Sequence, residues 1–160
     1  MNTIKILFFS LTAFLTHSVS AQWSTIKVYQ NVSVVFPCTA KEERGSTGTW
    51  TCTKNKCIYY ASVNEYNKGF APHKDKYVKK AERIAGFFKE YKVLSQDTVT
   101  AYGKECFKTE IEIIESDISY LRHCTIITVP LEKAAITFYV MTDKKDSPEV
   151  KRFFDSVKLE

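Results

Sequence analysis

Residues 105–142 read ECFKTEIEIIESDISYLRHCTIITVPLEKAAITFYVMT, and the reading of this stretch decides the fold. Its β-branched and aromatic residues fall into three runs, 105–115, 120–129 and 134–142, of the kind that suits a pleated, half-buried surface. The joins are short. Ser116-Asp117-Ile118-Ser119 carries turn formers, and Pro130-Leu131-Glu132-Lys133 opens with a proline that cannot donate to a central ladder. Three strands joined in this way predict an antiparallel meander. In the third, Ile136, Phe138 and Val140 alternate with Ala135, Tyr139 and Met141, so both sides are apolar and the strand is expected at the sheet centre, covered on both faces.

Upstream, residues 75–91 place Tyr77, Ala81, Ile84, Phe88 and Tyr91 at helical spacing, which predicts an amphipathic helix over that whole range. A strand over 93–101 and a turn at Gly103 lead from it into the meander. Earlier still, 31–36 alternates as a strand ended by Pro37, and 49–52 with 57–63 predict a hairpin. Residues 22–29 read as a loose lead-in. Downstream, Ser147 as N-cap, Pro148 in the first turn and Glu149 against the dipole predict a closing helix whose apolar side is Val150, Phe153, Phe154 and Val157. The expected architecture is α+β: one antiparallel sheet of six to seven strands packed with two helices, an α/β/α sandwich.

The first 21 residues read as a cleaved export signal. Lys5 supplies the charge, 6–15 is mostly apolar, and Val19-Ser20-Ala21 has the small-residue pattern a signal peptidase inspects. The apolar run is well short of the ~20 residues a membrane-spanning helix needs, and no stable membrane span is expected. Removing 21 residues from 160 leaves 139, which suits one domain over 22–160. Without Lys5 the net charge falls from +5 to +4, too mild to imply nucleic acid.

All five cysteines, Cys38, Cys52, Cys57, Cys106 and Cys124, follow the export signal, where disulfides form. Cys52 and Cys57 flank a four-residue hairpin loop, Thr53 to Lys56, and are the candidate pair. An odd count leaves at least one thiol over.

Candidate functional residues are sparse. The connection 64–74 carries Tyr66, Phe70 and His73, the aromatic and polar mix of a binding loop. Lys76, Lys80 and Arg83 align along the helix and read as a solvated face broken by Glu82. Glu110 and Glu112 share a strand face at roughly 6.5 to 7 Å, near the separation some glycosidase pairs use, which gives a hydrolase as the alternative reading. A thiol or metal protein built on the unpaired cysteines is another. His123 and Cys124 are adjacent on a strand and point to opposite faces, so they cannot act on one atom. No phosphate loop, nucleophile elbow or zinc-protease motif is present, and no cofactor is expected.

Several landmarks together resemble the PsbP-like fold: Phe36-Pro37 closing the opening strand, the amphipathic helix running through Lys92-Val93-Leu94 into a strand, Gly103 before Phe107, and the terminal segment from Arg152 to Leu159. That fold includes extrinsic photosystem II proteins, a nuclear-transport factor that binds a small GTPase, and many small exported bacterial proteins. The resemblance implies binding or assembly rather than catalysis, and it carries no family binding residue to a numbered position here. The sequence reading is therefore an exported, non-enzymatic binding or accessory module, taking a protein or small ligand at the Tyr66 to His73 loop or along a sheet edge.

Overall fold

The computed structural model describes residues 23–43, 48–66 and 74–160, with the backbone alone for 74–76. The export signal, Phe70 and His73 lie outside the described residues. The meander is present as read: β7 (Lys104–Glu115), β8 (His123–Pro130) and β9 (Ala134–Thr142) pair antiparallel in succession. β9 is central. Its other neighbour is β5 (Cys57–Glu65), and the full order is β3-β4-β5-β9-β8-β7-β6, where β3 is Lys41–Glu42, β4 is Thr49–Lys54 and β6 is Glu90–Ala101. Ile136, Phe138 and Val140 of β9 enter one core, and Tyr139 and Met141 pack on another across the sheet.

The expectation of a single sheet is corrected. Residues expected as a loose lead-in form β1 (Ser24–Tyr29), which pairs with β2 (Val32–Phe36), and the chain returns at its end as β10 (Lys158–Leu159) on the far side of β2. The cause is β2 itself. Val32, Val34 and Phe36 are fully buried against the large sheet, and both edges of β2 are taken by β1 and β10, so this strand heads a second, three-stranded sheet.

Helix α2 (Pro148–Asp155) shares that layer. The Ser147 hydroxyl accepts from the Val150 amide at 3.1 Å, as its sequence promised, and at the other end the Ser156 hydroxyl accepts from the Val35 amide at 2.9 Å, fixing the helix to β2. Phe153 is the centre of this face. Its ring meets Phe36 and Tyr59 edge-on, each at 5.2 Å, and Phe138 at 6.4 Å.

Helix α1 (Lys74–Ala85) covers the opposite face, packing Ala81, Ile84 and Ala85 on Ile111, Ile113 and Ile126. It stops six residues before the periodicity predicts. Phe87 and Phe88 tighten the last turn, their amides donating to the Ile84 and Ala85 carbonyls at 3.2 and 2.9 Å, and the Lys89 amide already donates to the Glu115 carbonyl of β7 at 3.0 Å. Phe88 keeps its place in the core, but Tyr91 belongs to β6 opposite Ile113. The helical spacing of apolar residues ran on into a strand, and sheet pairing overrode it.

The candidate Cys52–Cys57 disulfide is also corrected: Cys38 bonds to Cys52, and Cys57 is a buried free thiol. The hairpin has a two-residue turn, Asn55-Lys56, with φ of 50° and 58°, so Lys54 faces Cys57 and Cys52 faces Tyr59. Two residues at positive φ are the mark of a type I′ turn, the form whose twist matches the flanking strands. That tighter turn moves the two cysteines out of register. The Cys38–Cys52 bond instead ties the end of β2 to β4, joining the two sheets.

Candidate functional site

Three regions hold the residues singled out by chemistry. The first is beside α2, where Glu110 and Lys108 project from β7 on the same side as Cys106. Glu110 is clasped by Lys108 at 2.6 Å and Lys145 at 2.5 Å, and hydrogen bonds from these two cations hold its carboxyl below the usual carboxylate range. A cavity of about 290 Å³ opens beside it. A general acid must keep a proton near neutrality, and this environment removes it. Glu112, two residues on, is exposed and faces His123 across the β7–β8 ladder. The pair is a salt-bridged carboxylate and a solvated one, with no feature of acid catalysis.

The free thiols are equally quiet. Cys57, Cys106 and Cys124 are all buried; burial pushes Cys106 up to about 11 and Cys124 above the thiol range. Cys106 and Cys124 therefore stay protonated and inert. Cys124 faces the α1 core, beside Ile111, while His123 points to the other side of the sheet. Among the described residues no cluster of three His, Cys, Asp or Glu stands ready for a metal.

The second region is at the start of α1. Tyr66, just past the end of β5, lines a cavity of about 370 Å³ together with Tyr77, Lys79, Lys80 and Arg83 of the helix. Two sequence signals that were read separately, the aromatic connection and the helix cations, meet here. Lys80 is not on a solvated face. It is half-buried, its Nζ donates to the Ser62 hydroxyl at 3.4 Å, and burial followed by the nearby Arg83 charge lowers it to about 8. Burial raises Tyr66, and Arg83 opposes that. Tyr77 stacks on Phe107 of β7 with centroids 4.4 Å apart, which anchors the helix start to the sheet. The signal for Lys80 was in the sequence: it is three residues after Tyr77 and four before Ile84, on the margin of the apolar stripe.

The third region was missed. Beyond the end of α1 a groove of about 470 Å³ has Tyr60 and Tyr139 as its floor, stacked at 4.4 Å and 10°, and Phe87, Phe88 and Ile118 on its walls. Phe87 is 78% exposed. Of the exposed large hydrophobics among the described residues, Phe87 and Ile118 line this groove, while Tyr91, Val93 and Leu94 lie on β6 and Ile114 on β7. Lys89 ties the corner together, with its amide on Glu115 at 3.0 Å and its ammonium on Asp117 at 2.9 Å. A run of apolar residues at 87–94 was visible in the sequence, but it read as helix and strand interior rather than as surface.

The architecture has solved counterparts. The solution structure of cyanobacterial PsbP (CyanoP) from Synechocystis sp. PCC 6803 superposes with a TM-score of 0.60 over 88% of this chain and 94% of that one, at 12% identity. The fold is PsbP-like. The Ran-binding protein Mog1p of Saccharomyces cerevisiae superposes with a TM-score of 0.51 over 88% of this chain and 96% of its own, at 9% identity. No protein-family model matches the sequence, and no curated protein matches it. At such identities the shared property is the PsbP-like fold, as the landmark residues implied. No helix among the described residues is long and apolar enough to cross a membrane.

Proposed function

We propose that the chain is an exported, non-enzymatic accessory module that docks an extended segment of a partner protein on the corner formed by the edge of β6 and the Tyr60–Tyr139 groove. The exposed Phe87 and Ile118 on that groove, together with the exposed Tyr91 and Val93 of β6, which the chain enters directly after Phe88, carry the reading. Large exposed apolar side chains of this kind mark interaction sites when they recur along one surface. β6 is the outer strand of the large sheet and is twelve residues long, so its outward N–H and C=O groups offer a ladder to an incoming strand. Tyr91 and Val93, opposite Ile113 and Ile111, flank that ladder on the α1 side, and the groove, reached over Phe87 and Phe88, has room for one aromatic or aliphatic side chain of the partner. Export is supported by the N-terminal pattern and by a disulfide, which persists in oxidising compartments.

Site-specific photocrosslinking in the source cell tests this. A photoreactive residue at Phe87 is expected to give one discrete protein adduct, lost when Leu94→Ser is added, while the same probe at Lys158 on the three-stranded sheet gives none. Adducts that persist in Leu94→Ser, or that form equally from Lys158, would remove the corner from consideration.

A further inference from the structure

The cavity at the start of α1 has no role in that docking and has a chemistry of its own. Lys80 and Arg83 face it one helical turn apart, and no carboxylate of the described residues lies within ion-pair distance of either. Other cations of the chain do find carboxylates: Lys54, Lys89, Lys108, Lys145 and Lys151 are all paired. Lys80 is the half-buried exception: among the described residues its Nζ donates to the Ser62 hydroxyl alone, and a second positive charge sits beside it. The connection that follows Tyr66, Asn67 to His73, contains no acidic residue that might neutralise them. Burying an ammonium next to a guanidinium without a counter-charge is costly, and structures keep such an arrangement where an anion completes it.

We propose that the cavity framed by Tyr66, Lys80 and Arg83 is an oxyanion-binding site for a small organic molecule that carries a carboxylate or phosphate group. The guanidinium is a planar, two-pronged donor for either oxyanion, and the ammonium is a compact point charge beside it. A bare ion would fill little of about 370 Å³, and the aromatic rings of Tyr66 and Tyr77 line the remainder, so the ligand has an organic body as well as a charged head. Glu65 is the lone carboxylate on the lining and is exposed at its rim. It repels an incoming anion weakly and selects against those that do not reach Lys80 and Arg83. Binding is coupled to the proton on Lys80. An anion favours the charged ammonium, so the lysine takes up a proton as the site fills, and affinity falls as pH rises through about 8.

The test is a pair of NMR titrations of the intact protein, one with inorganic phosphate and one with citrate, following the Lys80 side chain and the amides of Ser62, Tyr66 and Arg83. The expected result is saturable shifts confined to this cavity, a rise in the Lys80 midpoint on saturation, and at least tenfold weaker binding in Lys80→Met. Glu65→Gln binds more tightly, and Lys151→Met, at a distant exposed cation, binds as wild type. Phosphate alone saturating the site assigns a phosphate head, and citrate alone a carboxylate. Should neither anion move the Lys80 midpoint, or should Lys80→Met bind as wild type, the proposal is wrong. If Lys80→Met does not fold, Arg83→Gln gives the same comparison from the exposed side of the site, and the wild-type midpoint decides without any variant.

Discussion

The two faces of the seven-stranded sheet are built on different terms. On one, α2 and the three-stranded sheet pack over the strands, leaving open the cavity beside Glu110, and Phe153 is held by rings on three elements with no exposure at all. On the other, a twelve-residue helix alone lies across the strands, and the sheet extends past it at both ends. Along its flank is a cavity with two cations; past its C-terminal end is an aromatic groove with Phe87 standing in water. The first face is densely packed around Phe153. The second leaves surface open where its cover runs out, and the two proposed recognition sites lie there, in keeping with a general division of labour between rigid scaffold and peripheral sites.

The sharpest way to break this comparison is a matched pair of core truncations. Phe153→Ala should cost about 3 to 5 kcal/mol in denaturant unfolding, whereas Phe88→Ala, bordered by the open groove, should fall at the lower end of that range because its site can rehydrate and collapse. Equal losses would mean that the two faces are equally tight. Next is the bond between the sheets: replacing Cys38 and Cys52 together by Ala should lower stability by about 3 kcal/mol, the value expected for a loop of this length. A smaller effect follows at the helix on the densely packed face, where Ser147→Ala should cost about 1 kcal/mol by orphaning the Val150 amide, read from the shift in Tm.

Smaller still is a pH effect. The Glu110 carboxyl is depressed in the folded state, so its contribution is present above its ordinary pKa of about 4.3 and is lost as pH falls through the folded value. The Tm gap between wild type and Glu110→Gln should therefore narrow with acidification below that point, and its plateau should be under about 1 kcal/mol because both lysines are partly solvated. The smallest change is expected on the open side. Phe87→Ser should move stability by no more than about 0.5 kcal/mol, while abolishing any partner adduct at the corner. A large loss of stability there would show that Phe87 is core after all.

What could be read from the sequence was what neighbouring residues decide among themselves. The meander announced itself because alternation and short polar joins are local, and α2 because Ser147, Pro148 and Glu149 stand together at its start. The end of α1 was misread because Phe88 and Tyr91 keep helical spacing while the competing partner, Glu115, is far along the chain. The disulfide was misread for a related reason: the tight turn at Asn55-Lys56 sets the register of β4 on β5, and the true partner, Cys38, approaches only once β2 has left the large sheet. The cavity was half legible. Tyr66 and Lys80 each drew notice, but their meeting depends on where β5 ends relative to the helix, which is a tertiary fact.

Phe153 has a further consequence in the order of synthesis. Every strand of the large sheet precedes it in the chain, so a growing polypeptide completes β3 through β9 before the residue that seals their inner face exists. Until α2 has emerged and β10 has found β2, that face is open, and the nascent chain is held short of its most resistant state. A core that locks only with its late-made segment leaves the chain pliable until its synthesis is nearly complete.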